Sequence, residues 1–358
     1  MAFNYETFIP AANMPALFET GISEEMFGLI EEAISSPLPG SPNVALVNTL
    51  VGNTLDIDNV DVDVVVANIG GEAGQQQGVV IPEQVLQSAS FYAFSSNADL
   101  AMGFNTVERT IISGVGNDLI TVAGDKNTTL MGGAGNDTLI TSGGNDVVVG
   151  GLGNDSVSTG AGNDTIVSGL GHDTINAGKG FDVVQFNGNA DNFNLFDLGN
   201  GQLLVHSKLN PTNSATISQA EIISFETPAG TDNIVIVDNE TDANAMRLYE
   251  GLFDRDADIG GAEFWLNALD QGVSLTDIAN GFLNSEEFLA NGELDHAAFV
   301  ELLYGNALNR ESDAEGKAFW VEQLENGISR ADVAISIVGS PEAAEAIDNV
   351  LIITGGQV

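Results

Sequence analysis

Residues 132–185 read GGAGNDTLI, TSGGNDVVV, GGLGNDSVS, TGAGNDTIV, SGLGHDTIN and AGKGFDVVQ, which is one nine-residue unit repeated six times without a gap. Glycine fills the fourth position of every unit, aspartate the sixth and an aliphatic residue the eighth. The glycine-rich half has turn chemistry, because glycine permits positive φ and close approach of backbones. The other half is long enough for a short strand with one inward side chain. Two units therefore predict one 18-residue coil, and successive coils stack as parallel strands about 4.8 Å apart.

The aspartates of such a solenoid fall into two rows, because every second unit lies on the same side. The rows are Asp137, Asp155 and Asp173 on one side and Asp146, Asp164 and Asp182 on the other. Stacked carboxylates repel by about 1 kcal/mol in water and by about 3–4 kcal/mol at an effective dielectric constant of 20. Ca²⁺ removes this repulsion, since it accepts six to eight oxygen ligands that include backbone carbonyls. The pattern therefore predicts a roll that is stable only with bound calcium.

The repeated units resemble the RTX (repeats-in-toxin) family of calcium-binding β-rolls. The resemblance implies several Ca²⁺ ions, about four or more, held by the sixth-position aspartates and by carbonyl oxygens of the glycine turns. The implied metal-site residues are Asp118, Gly133, Gly135, Asp137, Gly144, Asp146, Gly151, Gly153, Asp155, Gly160, Gly162, Asp164, Gly169, Gly171, Asp173, Gly178, Gly180 and Asp182. Asp118 comes from an earlier unit, and a degenerate unit with an extra Val122 and with Thr128 at the aspartate position follows it. Participation of Asp118 is therefore left open.

The charge and composition agree with a protein that works outside the cell. Asp plus Glu number 51 against 9 Lys plus Arg, a formal net charge of −42, which argues against nucleic-acid binding. Cysteine is absent, which excludes disulfides and thiolate zinc sites. The first 20 residues lack the basic and apolar regions of a Sec signal, and no run of about 18 apolar residues predicts a membrane span. The RTX resemblance implies export through the type I secretion machinery, directed by a C-terminal signal, with folding in extracellular calcium.

The chain is predicted to be mainly β with an α-helical C-terminal domain. We expect an N-terminal arm with one helix over 1–43, a β-rich region leading into the solenoid over 44–112, the parallel β-roll over 113–185, a β cap over 186–240, and a tandem helical repeat domain with the secretion signal over 241–358. Ser23 is the expected N-cap of the first helix. Four aspartates, Asp56, Asp58, Asp61 and Asp63, could bind a cation, but a solvated strand face is the favoured interpretation.

A second duplication lies near the C-terminus, where residues 248–288 align with residues 303–343 at a constant offset of 55. The apolar spacing is helical, Gly272 and Gly327 are expected to end helices, and Ser274 and Ser329 to begin them. The pair resembles a domain of unknown function that follows RTX rolls in bacterial secreted and S-layer proteins. No chemistry is attached to that domain.

Three features of the duplicated region allow a functional and a structural interpretation. Asp254, Asp256 and Asp258 match the start of an EF-hand loop, but Ile259 stands where glycine is needed and Trp265 where a bidentate Glu is needed. An acidic helix N-terminus is therefore favoured.

The aromatic and cationic residues of the repeats also allow a structural and a functional interpretation. Trp265 and Trp320 are expected to pack in a core rather than to stack on sugars. Arg255 and Arg310 are expected to pair with nearby acidic residues rather than to recognise an anion.

No catalytic unit is predicted, because the chain has neither H-E-x-x-H nor G-x-S-x-G, and His172, His206 and His296 are far apart in sequence. The leading hypothesis is a secreted structural protein that self-assembles into an S-layer, filament or matrix. The alternative is a calcium-dependent adhesin or binding module, for which cell-surface polysaccharide is a candidate partner. A secreted hydrolase is the weakest of the three.

Overall fold

The computed structural model describes residues 44–47, 50–51, 53–57, 62–105 and 109–354. The predicted arm over 1–43, with its helix at Ser23, lies outside the described residues, as do Asp58 and Asp61. Asp56 and Asp63 are both exposed, as expected of a solvated face. The chain forms two compact units. The first consists of residues up to Phe196 together with 202–220 and 225–230. The second consists of residues 197–201, 221–224 and 231 onward.

The first unit is a parallel solenoid with two long sheets. Its first sheet runs in the order β1 (Val44–Val47), β4 (Val64–Asn68), β6 (Phe91–Ser95), β8 (Arg109–Ile112), β10 (Thr128–Ala134), β12 (Val147–Leu152), β14 (Thr165–Leu170) and β16 (Val183–Asn187). All neighbours in this series pair in parallel. The prediction of a mainly β, parallel solenoid is therefore confirmed.

Along the chain, the strands of the second sheet alternate with those of the first. Its parallel strands are β5 (Gln76–Val79), β7 (Asp99–Phe104), β9 (Leu119–Val122), β11 (Thr138–Ile140), β13 (Ser156–Ser158), β15 (His172–Asn176) and β19 (Ser214–Ser218). The sheet continues through β18 (Gln202–Ser207), antiparallel to β19, to β17 (Phe193–Gly199). A small antiparallel pair, β2 (Leu50–Val51) and β3 (Thr54–Leu55), stands apart.

The eighth position of each repeat forms the core, as the pattern predicted. Leu139, Val148, Val157, Ile166, Ile175 and Val184 are all 0–2% exposed. Between β10 and β14 the register advances 18 residues per coil, which keeps each aliphatic side chain above the next. The extra Val122 lengthens β9 and is buried, and the register there advances 19 residues, with Leu119 opposite Thr138.

The coils before the repeats have an aromatic core instead. Tyr92 and Phe104 meet edge to face at 5.1 Å, and the buried Arg109 guanidinium lies within 6 Å of both ring centroids. A short helix, α1 (Glu83–Ser88), precedes β6. At the other end of the roll Phe186, Phe193 and Phe225 pack together with ring centroids 4.9–5.8 Å apart.

The second unit contains the helical repeats. The first repeat consists of α2 (Glu240–Phe253), α3 (Ile259–Asp270), α4 (Leu275–Leu283) and α5 (Glu286–Leu289), and the second of α6 (His296–Leu308), α7 (Ala314–Glu325), α8 (Arg330–Val338) and α9 (Pro341–Ala346). Strands β20 (Ile222–Thr227) and β21 (Gly230–Val237) precede them, and β22 (Val350–Ile352) pairs in parallel with β21.

The helix ends confirm the predicted boundaries of the duplication. The hydroxyls of Ser274 and Ser329 accept the N–H of Asp277 and Asp332 at the starts of α4 and α8. Gly272 follows α3 and Gly327 follows α7, each with positive φ.

Candidate metal centre

The repeat loops lie in two rows, one at each side of the roll. The first row contains the loops 113–118, 132–137, 150–155 and 168–173, which connect strands β8, β10, β12 and β14 to β9, β11, β13 and β15 and include some of the terminal residues of these strands. The second row precedes β12, β14 and β16 and contains the loops 141–146, 159–164 and 177–182. All predicted aspartates and glycines lie in these loops, in the rows expected from the spacing. Their roles as ligands stay a prediction.

One oxygen of each aspartate joins neighbouring coils. In the first row, the N–H groups of Asp118, Asp137 and Asp155 donate to Oδ1 of the aspartate one coil further along, at 2.7, 2.8 and 3.0 Å. In the second row the N–H groups of Thr128, Asp146 and Asp164 do the same at 2.7–2.8 Å. One oxygen of each carboxylate therefore accepts a backbone hydrogen bond from the neighbouring coil.

Asparagine at the fifth position forms a second ladder, which the sequence reasoning missed. The N–H groups of Asn136, Asn154 and His172 donate to the side-chain oxygen of the asparagine one coil before, at 2.6–2.8 Å. The recurrence of Asn directly before Asp was the available signal. The ladder begins upstream of the repeats, because Asp99 accepts the Asn117 N–H at 2.9 Å.

The other aspartate oxygen, Oδ2, is buried and accepts no hydrogen bond in Asp137, Asp146, Asp155 and Asp164. All four residues are 1–2% exposed. Burial raises the pKa of Asp137 to about 8, of Asp155 to about 7 and of Asp146 to about 6, against the opposing effect of nearby hydrogen-bond donors. An unpaired buried carboxylate costs several kcal/mol, so these atoms require a cation or a proton.

The glycines allow the coils to stack closely. All eleven predicted glycines have positive φ. At Gly153, where φ is +119°, an added Cβ would lie 1.9 Å from the carbonyl oxygen of Gly135 in the preceding coil. Any larger residue would therefore displace backbone.

Backbone carbonyls approach the unpaired carboxylate oxygens. A Cβ on Gly132 would meet both Asp137 Oδ2 at 2.5 Å and the Gly150 carbonyl oxygen at 2.6 Å. In the described ranges no three Asp, Glu or His side chains cluster so that they could hold a metal. A cation bound here would draw much of its coordination from carbonyls. Anionic and carbonyl oxygens together are the donors that Ca²⁺ prefers, so the residues fit this ion.

Asp118 and Asp173 differ from the other aspartates of their row. The Ser113 hydroxyl donates to Asp118 Oδ2 in a very short hydrogen bond, and the Ser168 hydroxyl donates to Asp173 Oδ2 at 2.5 Å. Thr128 supplies no carboxylate in the degenerate loop. Leu100 occupies the aspartate position one coil before Asp118. The Leu100 N–H donates to Asp118 Oδ1 at 2.6 Å.

The other acidic candidates have structural roles where the structure describes them. Asp258 caps α3 by accepting the Gly261 N–H at 2.8 Å, and Asp256 accepts from the Asn349 amide at 2.5 Å. Asp254 ends α2 in the left-handed conformation. The three residues therefore belong to a helix–helix connection, in agreement with the favoured interpretation.

The arginines pair with local acidic residues, as expected, since Arg255 lies 3.3 Å from Asp258 and Arg310 lies 3.6 Å from Asp313. Each also pairs with a glutamate 32 residues away in sequence. Arg255 makes two hydrogen bonds to Glu287, at 2.7 and 2.9 Å, and Arg310 makes the equivalent pair with Glu342. Each guanidinium also lies 5.0 Å from the ring centroid of the repeat's tyrosine, Tyr249 or Tyr304. These contacts tie the start of each repeat to its end.

The tryptophans are only half-buried. Trp265 stacks on the buried Phe282 at 5.3 Å, which is a packing role. The adjacent Phe264 is 62% exposed, and Phe319 at the equivalent position is 51% exposed. Core packing therefore describes Trp265 but not its phenylalanine neighbour.

Two histidines that are distant in sequence are close in the fold. His172 and His206 both stand opposite Ser214 in the sheet, and His172 Nδ1 lies 2.8 Å from the Ser214 hydroxyl oxygen. Sequence distance gave no signal of this juxtaposition. His296 begins α6.

Two family models match the chain. The model for the RTX calcium-binding nonapeptide repeat (4 copies) matches residues 122–157 and 149–184. The model for a domain of unknown function (DUF4214) matches residues 238–292 and 289–347. No curated protein matches the chain. Proteins with RTX repeats are typically secreted, and the repeats bind Ca²⁺.

No helix in the described part of the chain is both long enough and apolar enough to cross a membrane. The predicted repeats and the predicted tandem helical domain are both confirmed by the matches. The roll is thus an array of RTX calcium-binding nonapeptide repeats with Ca²⁺ as its cation, and the helical repeats are a tandem DUF4214 domain.

Proposed function

We propose that this chain is a secreted, non-catalytic structural protein whose roll folds outside the cell on binding Ca²⁺, and which then assembles with copies of itself into an extracellular array. The observation that carries the calcium dependence is the set of four buried Oδ2 atoms without hydrogen-bond partners. The array would be an S-layer, a filament or a matrix. The partners are further copies of the chain and, during export, the type I secretion machinery.

Calcium binding and folding are coupled in this proposal. Without a cation, the roll buries carboxylates that repel one another, in a chain of net charge −42. Low cytosolic calcium leaves the repeats open for export, and millimolar calcium outside the cell closes them. Bound Ca²⁺ supplies positive charge between the loops and binds their oxygens.

Exposed apolar residues at equivalent positions of the helical repeats support self-assembly. Phe264 and Phe319 are one such pair, and Val273 and Ile328, 38% and 44% exposed, are another. Each copy therefore presents the same apolar chemistry twice. Head-to-tail contacts between copies propagate when their rotation does not close a ring.

The histidines support a non-catalytic role. The contact of His172 with Ser214 joins residues that are already opposite each other in paired strands, so the sheet register accounts for it. A nucleophile–base pair also needs a group that orients the base and donors for the oxyanion.

Electron microscopy of the full chain with millimolar calcium and with a chelator tests the assembly. We expect ordered polymers in calcium, monomers in chelator, and monomers in both conditions for the double variant Phe264→Ser/Phe319→Ser. The matched control is Leu209→Ser, which changes a 75% exposed apolar residue outside the helical repeats and should still polymerise. Persistent wild-type monomers in calcium would refute the array.

The exposed phenylalanines beside half-buried tryptophans also favour a second candidate, a calcium-dependent adhesin that binds cell-surface polysaccharide. Phe264 and Trp265 meet edge to face at 4.8 Å, and Phe319 and Trp320 at 5.0 Å. Aromatic faces of this kind can stack on sugar rings. Binding of monomers to purified surface polysaccharide, lost in the double variant but kept in Leu209→Ser, would select this function over the array.

A further inference from the structure

The first residue of each nonapeptide differs between the two rows of loops. In the first row, glycine stands at 132 and 150, between Ser113 at one end and Ser168 at the other. In the second row, threonine stands at 141 and 159 and alanine at 177. This position lies five residues before the aspartate of its own loop, on the side where Oδ2 is buried.

Glycine leaves two oxygens facing each other across adjacent coils. Beside Gly132 these are Asp137 Oδ2 and the Gly150 carbonyl, and beside Gly150 they are Asp155 Oδ2 and the Ser168 carbonyl, each 2.5–2.6 Å from the position of a Cβ. Both Oδ2 atoms lack a hydrogen-bond partner. A carboxylate oxygen and a carbonyl oxygen are therefore available together to one ion.

Threonine engages the equivalent carbonyl in the second row. The Thr141 hydroxyl donates to the Thr159 carbonyl at 2.9 Å, and the Thr159 hydroxyl donates to the Ala177 carbonyl at 2.5 Å. A hydroxyl has one proton, which here goes to the carbonyl. Each hydroxyl nevertheless lies close enough to the aspartate of its own loop, Asp146 or Asp164, to oppose the rise in the pKa of that carboxyl. An ion in this row shares its carbonyl ligand with a hydroxyl donor.

Serine engages the carboxylate itself at the ends of the first row. The hydroxyls of Ser113 and Ser168 donate to Oδ2 of Asp118 and Asp173, as described above. A proton donor thus occupies the side of the carboxylate that faces an ion elsewhere in the row.

We propose that the first residue of each repeat sorts the calcium sites of this roll into two classes. Glycine makes the sites of Asp137 and Asp155 tight, threonine makes those of Asp146 and Asp164 weaker, and serine closes the row at Asp118 and Asp173. The inference rests on the proposed calcium-dependent folding and specifies which loops hold their ions longest. Loss of one competing hydrogen bond should change release rates about five- to tenfold.

Rapid mixing of the calcium-loaded full chain with excess fluorescent chelator tests this, because the ions released in each kinetic phase can be counted. We expect a slow phase that contains one ion for Asp137 and one for Asp155, and a faster phase that contains the ions of Asp146 and Asp164. Asp137→Asn should remove an ion from the slow phase, and Asp146→Asn should remove one from the fast phase. The reverse assignment, or a single phase in the wild type, overturns the proposal.

Exchange of the first residue provides the converse test. Thr141→Gly/Thr159→Gly should move ions from the fast phase to the slow phase, whereas Thr141→Ser/Thr159→Ser should remove the ions of Asp146 and Asp164, because serine at this position donates to Oδ2 at Asp118 and Asp173. The control Thr110→Gly/Thr216→Gly introduces the same flexibility in strands β8 and β19, away from the loops, and should change neither phase. If the first double variant does not fold in saturating calcium, the two Asp→Asn variants decide alone. Absence of any bound calcium at equilibrium refutes the proposed function, whereas calcium bound in one uniform class refutes only this inference.

Discussion

Asp155 in the roll and Asp313 in the helical repeats are the same residue type in two different settings. Asp155 is 2% exposed, its Oδ2 has no hydrogen-bond partner, and burial raises its pKa to about 7. Asp313 is exposed, accepts the Gly316 N–H at 2.8 Å and lies 3.6 Å from Arg310. The Gly316 N–H, more than Arg310, lowers the pKa of Asp313.

The difference shows where each region obtains its positive charge. The helical repeats supply their own, from helix N-termini and from the paired arginines Arg255 and Arg310. The roll concentrates carboxylates and takes its positive charge from solution. The two regions should therefore respond differently to calcium, to acid and to the same kind of substitution.

Removal of calcium should produce the largest contrast. We expect a chelator to abolish amide protection throughout 109–187, because the unpaired carboxylates then oppose folding, while amides in 240–346 stay protected. Hydrogen exchange read by mass spectrometry on the full chain measures both regions at once. Equal loss of protection in both regions would mean that the helical repeats also depend on calcium, and unchanged protection in the roll would remove the basis of the proposed function.

Glycine to alanine substitutions should have different effects in the two regions, because the space around the glycine differs. Gly153→Ala places a Cβ 1.9 Å from a backbone oxygen, so we expect the roll not to close even in saturating calcium. Gly272 also has a positive φ, of +85°, but nothing lies within 4 Å of the Cβ that Gly272→Ala adds. We therefore expect only conformational strain of about 1–2 kcal/mol from this substitution. Calcium-dependent circular dichroism of each variant provides the measurement. A closed roll in Gly153→Ala would show that stacking tolerates a Cβ there.

The pattern of nine residues was enough to predict the strands, the core positions and the two rows of loops, because each follows from a strict period. Cross-coil hydrogen bonds could not be predicted in the same way. The hydrogen bond from the Asp118 N–H to Asp137 Oδ1 depends on the three-dimensional offset between coils. The same offset places Gly132 beside the carbonyl oxygen of Gly150. The pairing of Arg310 with Glu342 likewise depends on how α6 and α9, the first and last helices of one repeat, meet in the fold.

Acid should act in opposite directions on the two regions. The pKa values of Asp137, Asp155 and Asp146, about 8, 7 and 6 in the roll, are raised above the value of about 3.9 in an unfolded chain. The folded calcium-free roll therefore binds more protons than the unfolded chain, and its stability rises as the pH falls from about 8 to about 4. We expect the chelated protein to regain amide protection in the roll between pH 8 and pH 5.

The helical repeats provide the internal control for this titration. Hydrogen bonds from Arg255 and Arg310 lower the pKa values of Glu287 and Glu342, so the stability from these pairs is present at neutral pH and is lost as the pH falls through the lowered pKa values. Protection in α2–α9 should not increase on acidification. A roll that does not recover protection in acid would contradict the assignment of its instability to buried carboxylates.

The smallest expected effect is the loss of a helix cap. Asp313→Ala removes the side chain that accepts the Gly316 N–H at the start of α7, which should destabilise the helical repeats slightly. Urea unfolding followed by the helical signal measures the change, and Asp258→Ala, at the equivalent position of the first repeat, should give a similar value. Because each side chain caps a helix within its own repeat, both changes should be the same in calcium and in chelator. A cap whose contribution depended on calcium would mean that the helical repeats bind the ion after all, and it would remove the distinction between a region that carries its own counter-charges and one that takes them from outside.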